Sequence, residues 1–376
     1  MASLYIHIPF CKQACNYCNF HFSTQVDYAA DMVKAISMEI KLRKHELPNE
    51  PLNSIYIGGG TPSILSESLL NELLESVYKN FEIEKNAEIT IEANPDDITP
   101  EKLQAIKKTP INRFSMGVQS FFDDDLIWMN RAHKAHEAED SIKLIQNFGF
   151  DKISIDLIYG GPTLLNQNWI KNLAKVNELG LNHVSAYCLT VEPKTALQSQ
   201  INKGKLPALD EEKAAEQFEI LVNQLGEYGF DQYEISNFAR NQEYAVHNTS
   251  YWQNKPYLGV GPSAHSFNGK QRSWNIANNQ LYMKQLVLGQ LPLEIENLTL
   301  ANRINEYIMT GLRTIWGCNW EEINIRFGNQ CTTILKQKIE PYINNQKILD
   351  NGENFKLTPQ ARILADGIAS DLFFDY

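Results

Sequence analysis

The sequence predicts an α/β fold, an incomplete parallel (β/α)6 barrel followed by a small C-terminal domain of winged-helix-like order. Three observations predict it. Strand-like apolar runs alternate with helical patterns six times over the first 230 residues, the pattern of a parallel sheet flanked by helices. Six units fall short of the eight that close a barrel, so the sheet is expected to stay open. The rhythm then breaks, and residues 300–376 read as helix, helix, strand pair and helix.

Taken in order, the expected strands are Leu4–Ile8, Ser54–Gly58, Glu88–Ala93, Arg113–Val118, Ile153–Tyr159 and His183–Leu189. The expected helices are Tyr28–Lys44, Leu65–Phe81, Pro100–Lys107, Glu137–Phe148, Asn168–Leu179 and Glu211–Tyr228. Thr99-Pro100 is a start signal, and Gly149, Gly180 and Gly229 are stop signals. The barrel is assigned residues 1–230, a connecting region of loops and short strands residues 231–299, and the C-terminal domain residues 300–376. Asn351-Gly352 marks a hairpin turn, and a last helix is expected from Pro359 to Leu372.

The chain has 376 residues, 43% of them hydrophobic, enough for a sizeable core without disulfides. A net charge of −11 gives no electrostatic footprint for a nucleic-acid backbone. The C-terminal domain carries eight Lys and Arg against nine Asp and Glu, so a lid or docking role fits it better than DNA binding. No apolar run approaches the roughly 20 residues needed to span a bilayer, and no leader pattern precedes Leu4. The expectation is a cytoplasmic protein, with peripheral contact at the inner membrane face through a partner left open.

Three of the six cysteines crowd into Cys11-Lys-Gln-Ala-Cys15-Asn-Tyr-Cys18, in the loop after the first strand. A local thiol cluster in a reducing compartment points to metal. Four-iron clusters normally take four cysteines, so three leave one iron open to another ligand. The alternative on spacing alone is a Cys₃His zinc site using His7 or His21. Gly58-Gly59-Gly60-Thr61-Pro62 ends the second strand, where a glycine run lets backbone amides approach a polar ligand. Cys188 reads as core packing within a strand, and His133 and His136 as exposed residues at a helix start.

Tyr5-Ile6-His7-Ile8-Pro9-Phe10-Cys11, the CxxxCxxC spacing and Gly-Gly-Gly-Thr-Pro together resemble the radical S-adenosylmethionine superfamily, and within it the oxygen-independent coproporphyrinogen oxidase group. The resemblance implies a [4Fe-4S] cluster on Cys11, Cys15 and Cys18, with S-adenosylmethionine at the open iron. It implies cofactor contacts from Tyr5, Gly59, Gly60, Thr61, Glu92, Gln119, Arg131 and Asp156. The chemistry agrees: a guanidinium suits the cofactor's carboxylate, and carboxylates and an amide accept from its ribose hydroxyls and ammonium.

Two departures separate this chain from the oxidases. They carry a further cysteine two residues after the third ligand, where Phe20 stands here, and an extension ahead of the first strand. Both departures resemble the HemW family of heme chaperones. His247-Asn248-Thr249-Ser250-Tyr251-Trp252 resembles that family's HNxxYW motif, read here as a loop. The resemblance implies heme as cargo, contacted by His247, Asn248, Tyr251 and Trp252, and delivery to a recipient hemoprotein such as a membrane respiratory enzyme, with a homodimer as a possible state. A structural, hydrogen-bonded His247 is the competing reading of the same residues. The competing function is an oxidase acting on a porphyrinogen by radical decarboxylation. The Tyr257–Ser266 stretch also resembles the family, and its glycines read as turn geometry in preference to a close backbone approach to the cofactor mouth.

Overall fold

The computed structural model describes residues 2–47 and 50–375. Its centre is a run of parallel strands: β1 Ala2–Ile8, β2 Leu52–Gly59, β3 Ile83–Ala93, β4 Arg113–Gln119, β5 Ile153–Tyr159 and β6 His183–Cys188. They lie side by side in chain order. The strands are buried on both faces, so they read as nearly continuous apolar runs, as parallel strands do.

The connecting helices are α1 Ala29–Arg43, α2 Glu67–Asn80, α3 Pro100–Ile106, α4 Asp123–Trp128, α5 Ala135–Asn147 and α6 Asn166–Glu178. After β6 come α7 Ala196–Asn202 and α8 Glu211–Glu227. Local chemistry sets their ends. The Ser66 and Thr99 side chains accept from the Leu69 and Lys102 amides, and Pro100 occupies the first turn of α3. Gly149, Gly180 and Gly229 stop their helices with φ of 82°, 64° and 79°, values that cost a side-chain-bearing residue strain.

The stretch after residue 230 is more regular than its loop-like composition predicts. β7 Asp231–Glu234 and β8 Asn237–Ala239 form a hairpin that pairs antiparallel beyond β6. The HNxxYW segment is α9 Val246–Trp252, a helix rather than a loop. β9 Tyr257–Val260 pairs parallel with β1 on the opposite edge, and β10 His265–Phe267, β11 Gln271–Asn275, α10 Asn279–Val287 and β12 Leu293–Asn297 follow. One twelve-stranded sheet results, running β12-β11-β10-β9-β1-β2-β3-β4-β5-β6-β8-β7, and its two edges do not meet. Residues of β9 and α10 share the core of β1–β6.

The C-terminal part has its own core. It comprises α11 Leu300–Leu312, β13 Cys318–Asn319, α12 Trp320–Phe327, α13 Asn329–Asn344, β14 Ile348–Asp350, β15 Asn354–Leu357 and α14 Ala365–Asp371. The expected pair of helices before the hairpin is three, and the expected last helix opens as a 3-10 turn at Pro359–Leu364. Polar contacts seat this unit on the sheet. Arg313 pairs with Glu234 of β7 at 3.0 Å, and Arg272 of β11 with Glu306 of α11 at 3.1 Å.

Candidate functional site

The carboxyl ends of β1–β6 open into a cavity of about 510 Å³. The cysteine loop forms one side of it. That loop is tied down residue by residue: the Cys11 amide donates to the Ser23 carbonyl at 3.0 Å, Asn16 Nδ2 to the Trp128 carbonyl at 2.8 Å, and Gln13 Nε2 to Asn130 Oδ1 at 2.9 Å. Asn130 returns a bond to the Ala14 carbonyl at 2.7 Å. The C-terminal end of α4 therefore holds the loop, and the thiols of Cys11, Cys15 and Cys18 all reach the cavity wall.

Among the described residues no three His, Cys, Asp or Glu side chains converge on a point that would hold one metal ion. The three thiols are free, part-buried and line the same cavity. The zinc alternative also lacks its histidine. His7 is buried, its Nδ1 3.0 Å from the Tyr5 hydroxyl and its Nε2 2.8 Å from the His21 carbonyl, and burial pushes its pKa down to about 4. His21 is bonded to Asn279 Oδ1 at 2.7 Å, and neither ring lines the cavity.

Gly59, Gly60 and Thr61 form the wall beside the cysteines, the Thr61 hydroxyl donating to Cys11 Sγ at 3.6 Å. Their amides are already used, by Glu92 Oε2 at 3.0 Å, the Ile8 carbonyl at 2.9 Å and the Phe10 carbonyl at 2.6 Å. The glycines answer an internal need: a Cβ on Gly59 would meet the His7 ring at 2.5 Å, and one on Gly60 the Phe10 carbonyl oxygen at 2.4 Å. The amides expected to meet a ligand at this strand end are therefore engaged within the protein.

Three acceptors face this rim. Glu92 takes a bond from the Tyr56 hydroxyl at 2.8 Å, and burial raises its carboxyl to about 7. Asp156 is raised to about 7 by burial and then by the charge of Glu92, with Ser185 and Arg131 pulling back. Gln119 ends β4 at φ 66°, a conformation rare outside glycine, and its amide nitrogen lies 3.2 Å from where a Cβ on Gly117 would be.

Arg131 is buried behind the cysteine loop. Its Nη1 donates to Cys15 Sγ at 3.3 Å, and Nη2 to Asn94 Oδ1 and the Gly117 carbonyl, each at 2.7 Å. Its Nε is buried with no hydrogen-bond partner among the described residues. Asn94 also donates to Thr61 Oγ1 at 3.1 Å, joining the two walls. Asn94, Tyr56, Ser185 and Tyr187 line the cavity and were not singled out from sequence; their signal is position at a strand's carboxyl end. Two expectations are corrected. Cys188 is exposed and lines the cavity, because it ends β6 instead of continuing it. His133 is buried, bonded to the Val118 carbonyl at 3.1 Å, with burial and then Arg131 lowering it to about 4.

Tyr5 and His247 do not line this cavity. Tyr5 stands behind Tyr56, with ring centroids 6.1 Å apart. His247 is 1% exposed, its Nδ1 2.9 Å from Ser54 Oγ and its Nε2 2.8 Å from the Tyr251 hydroxyl, and burial holds it neutral with a pKa near 3. Both ring nitrogens are engaged, which is the structural reading of this histidine. The other motif residues divide. Asn248 lines the cysteine cavity, while Tyr251 and Trp252 line a second cavity of about 510 Å³ between α9, β9–β11 and α11.

Comparison with known proteins agrees with this geometry. The profile of the radical SAM superfamily matches residues 5–176, and that of the HemN C-terminal domain residues 298–364. The heme chaperone HemW of Bacillus subtilis is 32% identical over 98% of this chain and 98% of its own length. The protein of the same name from Mycobacterium tuberculosis is 30% identical over 98% of this chain and 94% of its own. The solved structure of coproporphyrinogen III oxidase from Escherichia coli superposes with a TM-score of 0.86 at 24% identity, over 99% of this chain and 90% of that one, a likeness of fold.

Proposed function

The chain belongs to the HemW family of the radical SAM superfamily, and from that premise we propose that it is a heme chaperone, a protein that binds heme and passes it to a recipient hemoprotein. The observation that carries the reading is the position of α9, which puts Asn248 on the cysteine cavity and Tyr251 and Trp252 on a second, aromatic one. Flat apolar faces beside a polar rim are what a porphyrin needs.

In this reading Cys11, Cys15 and Cys18 hold a [4Fe-4S] cluster, and S-adenosylmethionine lies along the carboxyl ends of the strands. Glu92, Gln119 and Asp156 accept from its hydroxyls or ammonium, with Gly59 and Gly60 beside them. Arg131 donates to the Cys15 sulfur and sets its positive charge at the cavity wall, where it favours a carboxylate. When bound, the cluster supplies a one-electron donor and an open iron. The chaperone reading needs from it only a fixed active shape.

The recipients proposed are hemoproteins such as membrane respiratory enzymes, met from the cytoplasmic side, with two copies of the chain acting together. Among the described residues no helix is long and apolar enough to cross a membrane. Heme-loaded protein mixed with an apo-hemoprotein should hand over its heme faster or more completely than an equal amount of free heme, followed by the recipient's absorption band. Retention of heme against every apo-hemoprotein offered would remove delivery from the account.

A further inference from the structure

Tyr56 lines the cysteine cavity just ahead of the glycine run that ends β2. Its hydroxyl donates to Glu92 Oε1 at 2.8 Å, while the Gly59 amide donates to Oε2 at 3.0 Å. Both carboxylate oxygens are therefore held, and one donor on each fixes the plane of the group. Gly58 supplies the clearance. A Cβ there would meet Tyr56 Cε1 at 2.6 Å and Glu92 Oε1 at 2.8 Å, so the first glycine of the run makes room for this pair.

The Tyr56 ring is backed by other rings. His247 stacks on it at 5.0 Å between centroids and 30° between planes, and Tyr5 packs at 6.1 Å. His247 is itself anchored, through Ser54 Oγ at 2.9 Å and the Tyr251 hydroxyl at 2.8 Å. Packing accounts for a ring at this position but not for its hydroxyl. A phenylalanine would fill the same space, and a hydroxyl withdrawn from water costs free energy unless it is bonded. Burial, and then the charges of Glu92 and Asp156, hold the phenol protonated, so it stays a donor.

We propose that Tyr56 is a positioning residue for S-adenosylmethionine, acting through Glu92, whose carboxylate its hydrogen bond holds in the orientation that receives the cofactor. The inference rests on the cofactor reading of Glu92 and adds the group that prepares it. It also gives His247 a part in this site, as the face against which the Tyr56 ring is held. A hydrogen bond to a charged form favours that form, so the Tyr56 bond pulls Glu92 down against its burial, the larger effect, which leaves it at about 7. The other titratable groups around Glu92 are Asp156 of β5, also at about 7, and Tyr5, Tyr187, Tyr251 and Cys18, each pushed up by burial. Arg131 acts on Asp156.

The test is equilibrium binding of S-adenosylmethionine to the full-length, cluster-reconstituted protein, wild type beside Tyr56→Phe, at pH 6, 7 and 8.5. The phenylalanine keeps the ring and its stack on His247 and removes only the hydroxyl. Glu92 should then titrate about one unit higher, so the variant should bind about five- to ten-fold more weakly at pH 6 and 7 and within about two-fold of wild type at pH 8.5. The ratio of the two proteins at each pH removes the cofactor's own titration. A loss of equal size at every pH would mean that Tyr56 only packs, and no loss at any pH that its bond is idle; either overturns the proposal. The Glu92 carboxyl resonance, assigned with Glu92→Gln and followed in the full-length protein before reconstitution, should show the same upward move. An unmoved midpoint overturns the proposal even where the variant takes up no cluster. Absence of S-adenosylmethionine binding by the reconstituted wild type would instead remove the cofactor reading itself, and the proposal with it.

Discussion

At the scale of single residues, the site is defined by groups held away from their ordinary chemistry. Glu92 and Asp156 face one cavity with carboxyls raised to about 7, burial being the larger cause for both. Raised values mean that their contribution to the stability of the ligand-free protein is complete below the ordinary carboxyl range and is lost as pH rises through about 7. A cationic ligand prefers the ionised pair, so affinity for S-adenosylmethionine should rise several-fold from pH 6 to pH 8. Glu92→Gln should flatten that rise, and equilibrium binding at the two pH values reads it; a flat wild-type profile would contradict the assignment. His247 makes a different prediction. Replacing it by alanine leaves a cavity and removes one partner each from the Ser54 and Tyr251 hydroxyls, at a cost of about 2–4 kcal/mol in denaturant unfolding. An unchanged midpoint would mean that the ring does not hold this network. Much of the site was legible in the residues: Cys11, Cys15, Cys18, Gly59, Gly60, Thr61, Glu92, Gln119, Arg131 and Asp156 do share one cavity. Tyr5 and His247 do not reach it, because strand position and motif spacing say nothing of depth, and here Tyr56 stands in front of both rings.

Among the elements, β1 and the loop after it carry the arrangement, and neighbours on both sides fix them. On the cavity side α4 and Asn130 hold the cysteine loop. On the other side β9 pairs with β1, and a buried ionic network locks β9 to α1. Arg43, 1% exposed, donates to Glu39 at 2.8 Å, to the Gly259 carbonyl at 3.0 Å and to Ser266 Oγ at 3.1 Å. Glu39 in turn accepts from the Gly261 amide at 2.8 Å and from Asn275 at 2.7 Å. Arg43→Ala leaves a buried carboxylate without its cation and should cost about 3–5 kcal/mol, measured by chemical denaturation. A loss below about 1 kcal/mol would show that water reaches Glu39 and that the network does not lock this edge. The strands and helices of the first half were legible because apolar periodicity and cap residues agree there. α9 was not: Val246-His-Asn-Thr-Ser-Tyr-Trp252 holds weak helix formers, and packing against β2, with Glu88 receiving the His247 amide at 3.0 Å, overrides propensity. The same tertiary pairing turns the Asn-rich and Ser-rich residues of β9–β12 into sheet.

For the whole molecule, the sheet stays open because β12 and β7 end it far from one another in strand order, and the C-terminal domain docks along that span. It touches β7 through Arg313 and Glu234 and β11 through Glu306 and Arg272, which places α11 over the second cavity. Two cavities separated by one seven-residue helix form the architecture on which the account rests. The sequence alone could place the first cavity, since strand ends in a parallel sheet converge, but not the second, which exists only once two cores are brought together. The heme-chaperone reading is tested most directly by anaerobic titration of the cluster-reconstituted protein with heme, followed by absorption spectroscopy. It predicts saturable, stoichiometric binding that survives to a defined spectral endpoint. Heme uptake that rises without saturation, or none at all, would contradict it and return the radical decarboxylation of a porphyrinogen to first place.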